Sequence, residues 1–136
     1  MTFEVISGLQ SDFAATWAAR TPVLFSGSTV PQPGRGEWVR LTIRLASAYQ
    51  REVGRGSVKI YFPGVLIFQC FCEISVGDGP AIRNADSIAE IYLTKELEFI
   101  NSFSIPSVDN VGETPDGKWY QVNCNVDYLA VENVTR

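Results

Sequence analysis

The sequence predicts an α+β two-layer sandwich: a mostly antiparallel mixed sheet, two helices packed on one face, and an extended β-hairpin. Three observations carry that expectation. Within Val65–Leu93, Leu66, Phe68, Cys70, Cys72, Ile74 and Val76 fall on one side of a strand, opposite Gln69, Glu73 and Ser75. Past Gly77-Asp78-Gly79-Pro80 the apolar period lengthens, and Ala81, Ala85, Ile88, Ala89 and Tyr92 recur at helical spacing. A late segment alternates again, with Tyr120, Val122, Cys124, Val126 and Tyr128 opposing Trp119, Gln121, Asn123, Asn125 and Asp127. A helix that leaves a strand with one apolar stripe has that strand as its nearest apolar surface, so it folds back onto the sheet.

The other elements follow in chain order. Residues 3–19 read as a helix with Ile6, Leu9, Phe13 and Trp17 as its stripe. Gly8 weakens the first turn and moves the expected start toward Leu9. Arg20 suits the C-terminal end of the helix dipole, and Thr21-Pro22 stops the helix. Val23–Ser28 is a short strand ahead of a Gly- and Pro-rich surface loop. Trp38–Leu45 is a strand with Val39, Leu41, Ile43 and Leu45 inward and Trp38, Arg40, Thr42 and Arg44 on the other face. A polar connection leads to a return strand over Ser57–Phe62, which puts Arg51, Glu52 and Arg55 at the tip of a long hairpin. Pro63-Gly64 predicts a kink or bulge before the strand continues. Phe99–Ile105 is a short strand, and residues 107–118 form a loop with its turn at Pro115-Asp116-Gly117. The last strand is Trp119–Leu129, and residues 130–136 are a loose tail.

The length, 136 residues, fits one domain spanning residues 1–136, and 46% hydrophobic with 19% charged residues excludes disorder for most of it. No apolar run approaches the roughly 18–20 residues of a membrane span. The opening MTFEVISGLQ lacks the basic cluster of a signal peptide. Three cysteines without any histidine read as buried reduced thiols, so neither a metal nor a cofactor is expected. The same absence of histidine excludes histidine-based nucleophilic or general-base catalysis. Asp86 and Glu90 read as a solvated helix face, and Gly77-Asp78-Gly79 as a tight turn. Charge is uneven: residues 35–59 hold six basic and two acidic residues, a net +4, so the remainder of this −4 chain carries −8. Such asymmetry suits head-to-tail contact between copies or an acidic partner, and equally a solvated basic face. Trp38 and Trp119, flanked by arginine, read either as interface anchors or as rings covered by a loop or helix. A pI near 4.8 argues against a dedicated nucleic-acid binder.

Five short patterns recur in one order. They are Trp17-Ala18-Ala19-Arg20-Thr21-Pro22, Gly36-Glu37-Trp38-Val39-Arg40, the arginine-bearing hairpin, Gly77-Asp78-Gly79-Pro80 with Ala85–Ala89, and Asp116–Val122. Their order and spacing over nearly the whole chain resemble the tail terminator-like proteins of long-tailed bacteriophages. The resemblance implies a structural virion protein without enzymatic activity. It implies a ring, six copies in a homohexamer, on the head-proximal end of the tail tube. There the ring stops tube polymerisation and offers a joining surface to head-completion proteins. Its partners are then further copies of itself, the tail tube protein and a connector protein. DNA passes through without specific binding, and no membrane is involved. Assembly takes place in the host cytoplasm, and the mature location is the head–tail interface. Spheres with a gyration radius of about 14 Å would leave an opening of roughly 35 Å in a ring of six, wide enough for a duplex. Candidate contact residues are Arg51, Glu52 and Arg55 at the hairpin tip, with Trp38, Arg40, Arg44 and Trp119 on the outer face. Two other readings stay open: another head–tail connector such as a stopper or head-closure protein, or a small α+β enzyme that uses a carboxylate.

Overall fold

The computed structural model describes residues 2–27, 31–54 and 56–135; of residues 51–54, 57 and 135 it describes the backbone alone. The elements run α1 (Thr2–Trp17), β1 (Val23–Phe25), β2 (Trp38–Leu45), β3 (Tyr49–Gly54), β4 (Ser57–Glu73), a 3-10 turn (Ile74–Val76), α2 (Gly79–Leu93), β5 (Ile100–Phe103), β6 (Ser107–Glu113) and β7 (Trp119–Thr135). Together they make an α+β sandwich. The strand order is β1-β2-β4-β7-β5, with β3 continuing on the β2 side of β4 and β6 on the β5 side of β7. All pairings are antiparallel except β1 with β2.

The middle of the sheet is β4 against β7, in unbroken register from Ser57↔Thr135 to Glu73↔Trp119. That register corrects two expectations. Residues 130–135 are not a loose tail but the second half of a strand. Pro63-Gly64 leaves the β7 register unbroken, and the irregularity expected there falls on the other side of β4, where β2 ends at Leu45 and β3 begins at Tyr49. The proline is tolerated because its carbonyl, which accepts from the Ala46 N–H at 3.1 Å, faces the other edge of β4. Its missing N–H faces that same edge, at the gap between β2 and β3, so the β7 ladder is untouched. Gly64 is needed for a different reason. The Tyr128 ring lies directly over it, and a Cβ there would come within 2.4 Å of the ring.

Both helices cover one face of the sheet. Val5, Leu9, Phe13 and Trp17 of α1 and Ala81, Ala85, Ile88 and Tyr92 of α2 pack on Leu41, Leu66, Phe68, Cys70, Val122, Cys124 and Val126. Val5, rather than Ile6, begins the α1 stripe. Gly8 does not delay the helix either. Phe99 packs against it so closely that a Cβ would approach that ring to 2.7 Å, which is what the glycine is for. At the other end, Ala18 and Ala19 turn the chain with positive φ values of 50° and 59°. The Trp17 indole then donates to the buried Thr21 hydroxyl at 3.0 Å, and the Arg20 guanidinium sits 5.0 Å from the Trp17 ring centre. Pro22 completes this corner by accepting from the Val39 N–H at 3.0 Å, which starts the β1–β2 pairing. Lys95 ties the segment after α2 to α1 through Asp12 at 2.9 Å and Thr16 at 3.0 Å.

Further expectations are corrected at strand ends. β4 stops at Glu73, so Ile74 is only half-buried and Val76 is exposed in the 3-10 turn. Leu45 lies beyond the cover of the helices and is exposed. Residues 107–113 are strand β6 rather than loop, and pair with β7 through the turn at Pro115-Asp116-Gly117. The polarity of β6 misled because it is an edge strand with little buried surface. Tyr49–Gly54 is likewise a strand, the outer edge of the long hairpin.

Replacing Gly64 by alanine should lower unfolding free energy by about 1–3 kcal/mol in urea titration, since the Tyr128 ring must give way. The loss should shrink when Tyr128→Leu removes the obstruction. An unchanged midpoint for the single variant would contradict the packing.

Candidate interaction surfaces

The two outward tryptophans do come together, but not as anchors for a partner. Trp38, Phe71, Trp119 and Leu24 form a second, smaller core on the sheet face away from the helices. Trp38 stacks on Phe71 at 4.1 Å between centroids, and Trp119 meets Trp38 edge-on at 5.7 Å. Trp38 and Trp119 retain 1% and 3% of their surface. Of the two readings left open, anchor on an exposed face or ring covered within the chain, the structure gives the second. The cover is supplied by the other aromatic rings, with Gln32 and the turn at Thr114–Asp116 around them, rather than by a helix. The turn is held by its own polar atoms. The Thr114 hydroxyl and the Lys118 N–H both donate to the Asp116 carboxylate and hold its pKa below the usual range.

Sequence reasoning missed Phe71 and Leu24. The signal was present in Phe71, a large apolar residue on the strand face otherwise read as Gln69, Glu73 and Ser75. It lies directly across from Trp38. Arg40 is half-buried, with its guanidinium 5.4 Å from the Trp38 ring centre and 5.6 Å from that of Phe71. It caps the cluster from above, a cation–π arrangement that leaves the charge at the rim. Arg44, by contrast, is exposed.

The hairpin is longer than expected. β2 and β3 together line one side of β4, and β7 lines the other over its full length, so the arm has three strands. A strand of 17 residues reaches about 57 Å. A globule of this chain length spans only about 36 Å, so the far end projects. Tyr49 stacks on Tyr61 there, at 5.3 Å. Arg51 and Glu52 lie in β3 at a register shift between Gln50 and Glu52, and Arg55 lies outside the described residues.

Solved structures share this architecture. One chain, which carries no functional name, aligns with a TM-score of 0.67 at 15% identity, covering 97% of this chain and 96% of its own length. The likeness is one of fold. No protein-family model matches the chain, and no curated protein matches it in sequence.

Other surfaces offer little chemistry. The thiols of Cys70, Cys72 and Cys124 are buried and unpaired in disulfides. Burial pushes all three thiols upward, Cys124 to about 12, and Cys72 donates to the Gly77 carbonyl at 3.1 Å. Thiols held neutral in this way are poor nucleophiles at neutral pH. Among the described residues, no group of three or more Cys, Asp or Glu is placed to hold a metal ion. No described helix is long and apolar enough to cross a membrane. One cleft of about 230 Å³ opens where β2 gives way to β3, between Leu45, Ala46, Ala48, Phe62 and the start of α1 at Val5.

If Trp38 is core, Trp38→Ala should destabilise the isolated protein by about 3–5 kcal/mol in denaturant unfolding. A variant with unchanged stability but weakened self-association would return Trp38 to the interface.

Proposed function

We propose that this chain is a tail terminator of a long-tailed bacteriophage, a structural protein that closes the head-proximal end of the tail tube as a ring. The observation that carries the reading is the ordered set of motifs over nearly the whole chain, together with where those motifs stand in the fold. Trp17–Pro22 forms the corner that ends α1 and starts the sheet. Gly36–Arg40 enters β2, where Glu37 accepts from the Asn84 amide of α2 at 2.9 Å. Gly77–Pro80 links β4 to α2, and Asp116–Val122 is the hairpin turn entering β7. These four motifs each serve a junction of the scaffold, and among the described residues they do not converge on one centre. That distribution favours an assembly role over the carboxylate-enzyme reading.

In this role the copies form a homohexameric ring that contacts the tube protein on one side and a head-completion protein on the other. The long three-stranded arm supplies reach beyond the globular body. The acidic surface lets DNA pass without specific contact, since phosphate binding depends on clustered lysine and arginine.

Deleting the gene from the phage or prophage that carries it should yield overlong tails of irregular length and filled heads without tails, seen by electron microscopy. Normal tail length with normal head attachment would overturn the reading.

A further inference from the structure

On the sheet face without helices lies a hollow of about 320 Å³. Trp38, Arg40, Phe71 and Trp119 line it from the strands, and Gln32 and the turn at Thr114–Asp116 line it from the connections. Two observations set it apart from a packing defect over the small core.

The first is a pair of orphan donors. The indole N–H groups of Trp38 and Trp119 are buried without a hydrogen-bond partner among the described residues, in side chains that retain 1% and 3% of their surface. Trp17, by contrast, donates to the Thr21 hydroxyl. Folded proteins rarely leave a buried N–H unpaired. Two of them on the residues lining one hollow call for acceptors that the described chain does not supply.

The second is Arg40. Its guanidinium is half-buried and, among the described residues, engages only the rings of Trp38 and Phe71. A cation–π contact pairs none of its N–H groups with an acceptor. Asp116, the carboxylate lining the hollow, is exposed and committed to its own turn, where it accepts from the Thr114 hydroxyl and the Lys118 N–H. Forked donors on a cation, further donors beside it and apolar rings between them match a carboxylate with a hydrocarbon body. Its two oxygens take parallel N–H bonds from a guanidinium and keep lone pairs for other donors.

We propose that this hollow binds a carboxylate carried on an apolar stem, with Arg40 as its cationic partner and the indole N–H groups of Trp38 and Trp119 as further donors. Both indole N–H groups are covered in the free chain. Binding therefore displaces Gln32 or the Thr114–Asp116 turn, the parts of the wall that lie outside the strands. The site stands independently of the ring reading. A small organic acid and the C-terminal end of a protein segment share this chemistry.

The test follows the tryptophan indole N–H resonances of the isotope-labelled full-length protein by NMR as benzoate is added at constant ionic strength. Those of Trp38 and Trp119 should move downfield on one saturation curve, while that of Trp17 stays in place. Benzamide keeps the ring and loses the charge, and should bind roughly tenfold more weakly. Arg40→Gln should lower benzoate affinity by a similar factor, whereas Arg44→Gln, at the exposed arginine further along β2, should leave it unchanged. An unmoved Trp17 resonance in each variant reports that the fold is intact. N-acetylphenylalanine separates the two sources: tighter binding than benzoate assigns the site to a chain end, weaker binding to a small acid. The proposal is overturned if the Trp38 and Trp119 resonances stay still at every soluble benzoate concentration. Equal movement with benzamide, or undiminished binding by a folded Arg40→Gln variant, would overturn it as well.

Discussion

The antiparallel ladder between β4 and β7 is the constraint on which the rest of the structure depends. Its 17 pairs run without a bulge, while register shifts are confined to β3, β5 and β6 at the edges. A sheet whose centre is continuous can tolerate irregular borders, because the side-chain alternation that sorts its two faces is set by the middle strands. The one residue that could have broken the ladder, Pro63, directs its missing donor to the β2–β3 gap instead. The same position then becomes the opening of the apolar cleft.

That alternation builds two cores of unequal size. One face of β4 and β7 supplies Phe68, Cys70, Val122 and Cys124 to the helices, and Phe68 meets Phe13 of α1 at 4.7 Å. The other face carries the smaller cluster of Leu24, Trp38, Phe71 and Trp119, in which Trp38 stacks on Phe71 and Trp119 meets Trp38 edge-on. Their indole nitrogens, unlike that of Trp17, have no hydrogen-bond partner among the described residues. Ring packing has to outweigh two unpaired donors, each worth about 1–3 kcal/mol. The small core fixes the end of the sheet where β2 begins and β7 emerges from its turn, and it leaves the arm at the opposite end.

Much of this was legible in the sequence where period and burial coincide. The alternation of Phe68–Cys72 and Val122–Val126, the stripe Ala81–Tyr92 and the turn at Pro115–Gly117 all stand as read. The misreadings share a cause: residues were judged by local composition when their surroundings are tertiary. Gly8 looked like a weak helix start because the ring of Phe99 that fills its place lies 91 positions away. Residues 107–113 and 130–135 looked like loop and tail because edge and arm strands bury little and therefore need no strong alternation. Trp38 and Trp119 stayed undecided between anchor and covered ring because the cover comes from each other and Phe71 across three strands. The candidate interface was legible only as charge, +4 over residues 35–59.

On the proposed reading the chain acts by being placed, and its location in the particle is then the most direct test. Purified tails should be labelled with gold-conjugated antibody against the native chain and examined by electron microscopy. On the ring reading, label sits at one end of each tail only, the end that meets the head, and quantification against the tube protein gives six copies per tail. Label along the tube, label at the distal tip, or its absence from finished tails would contradict it.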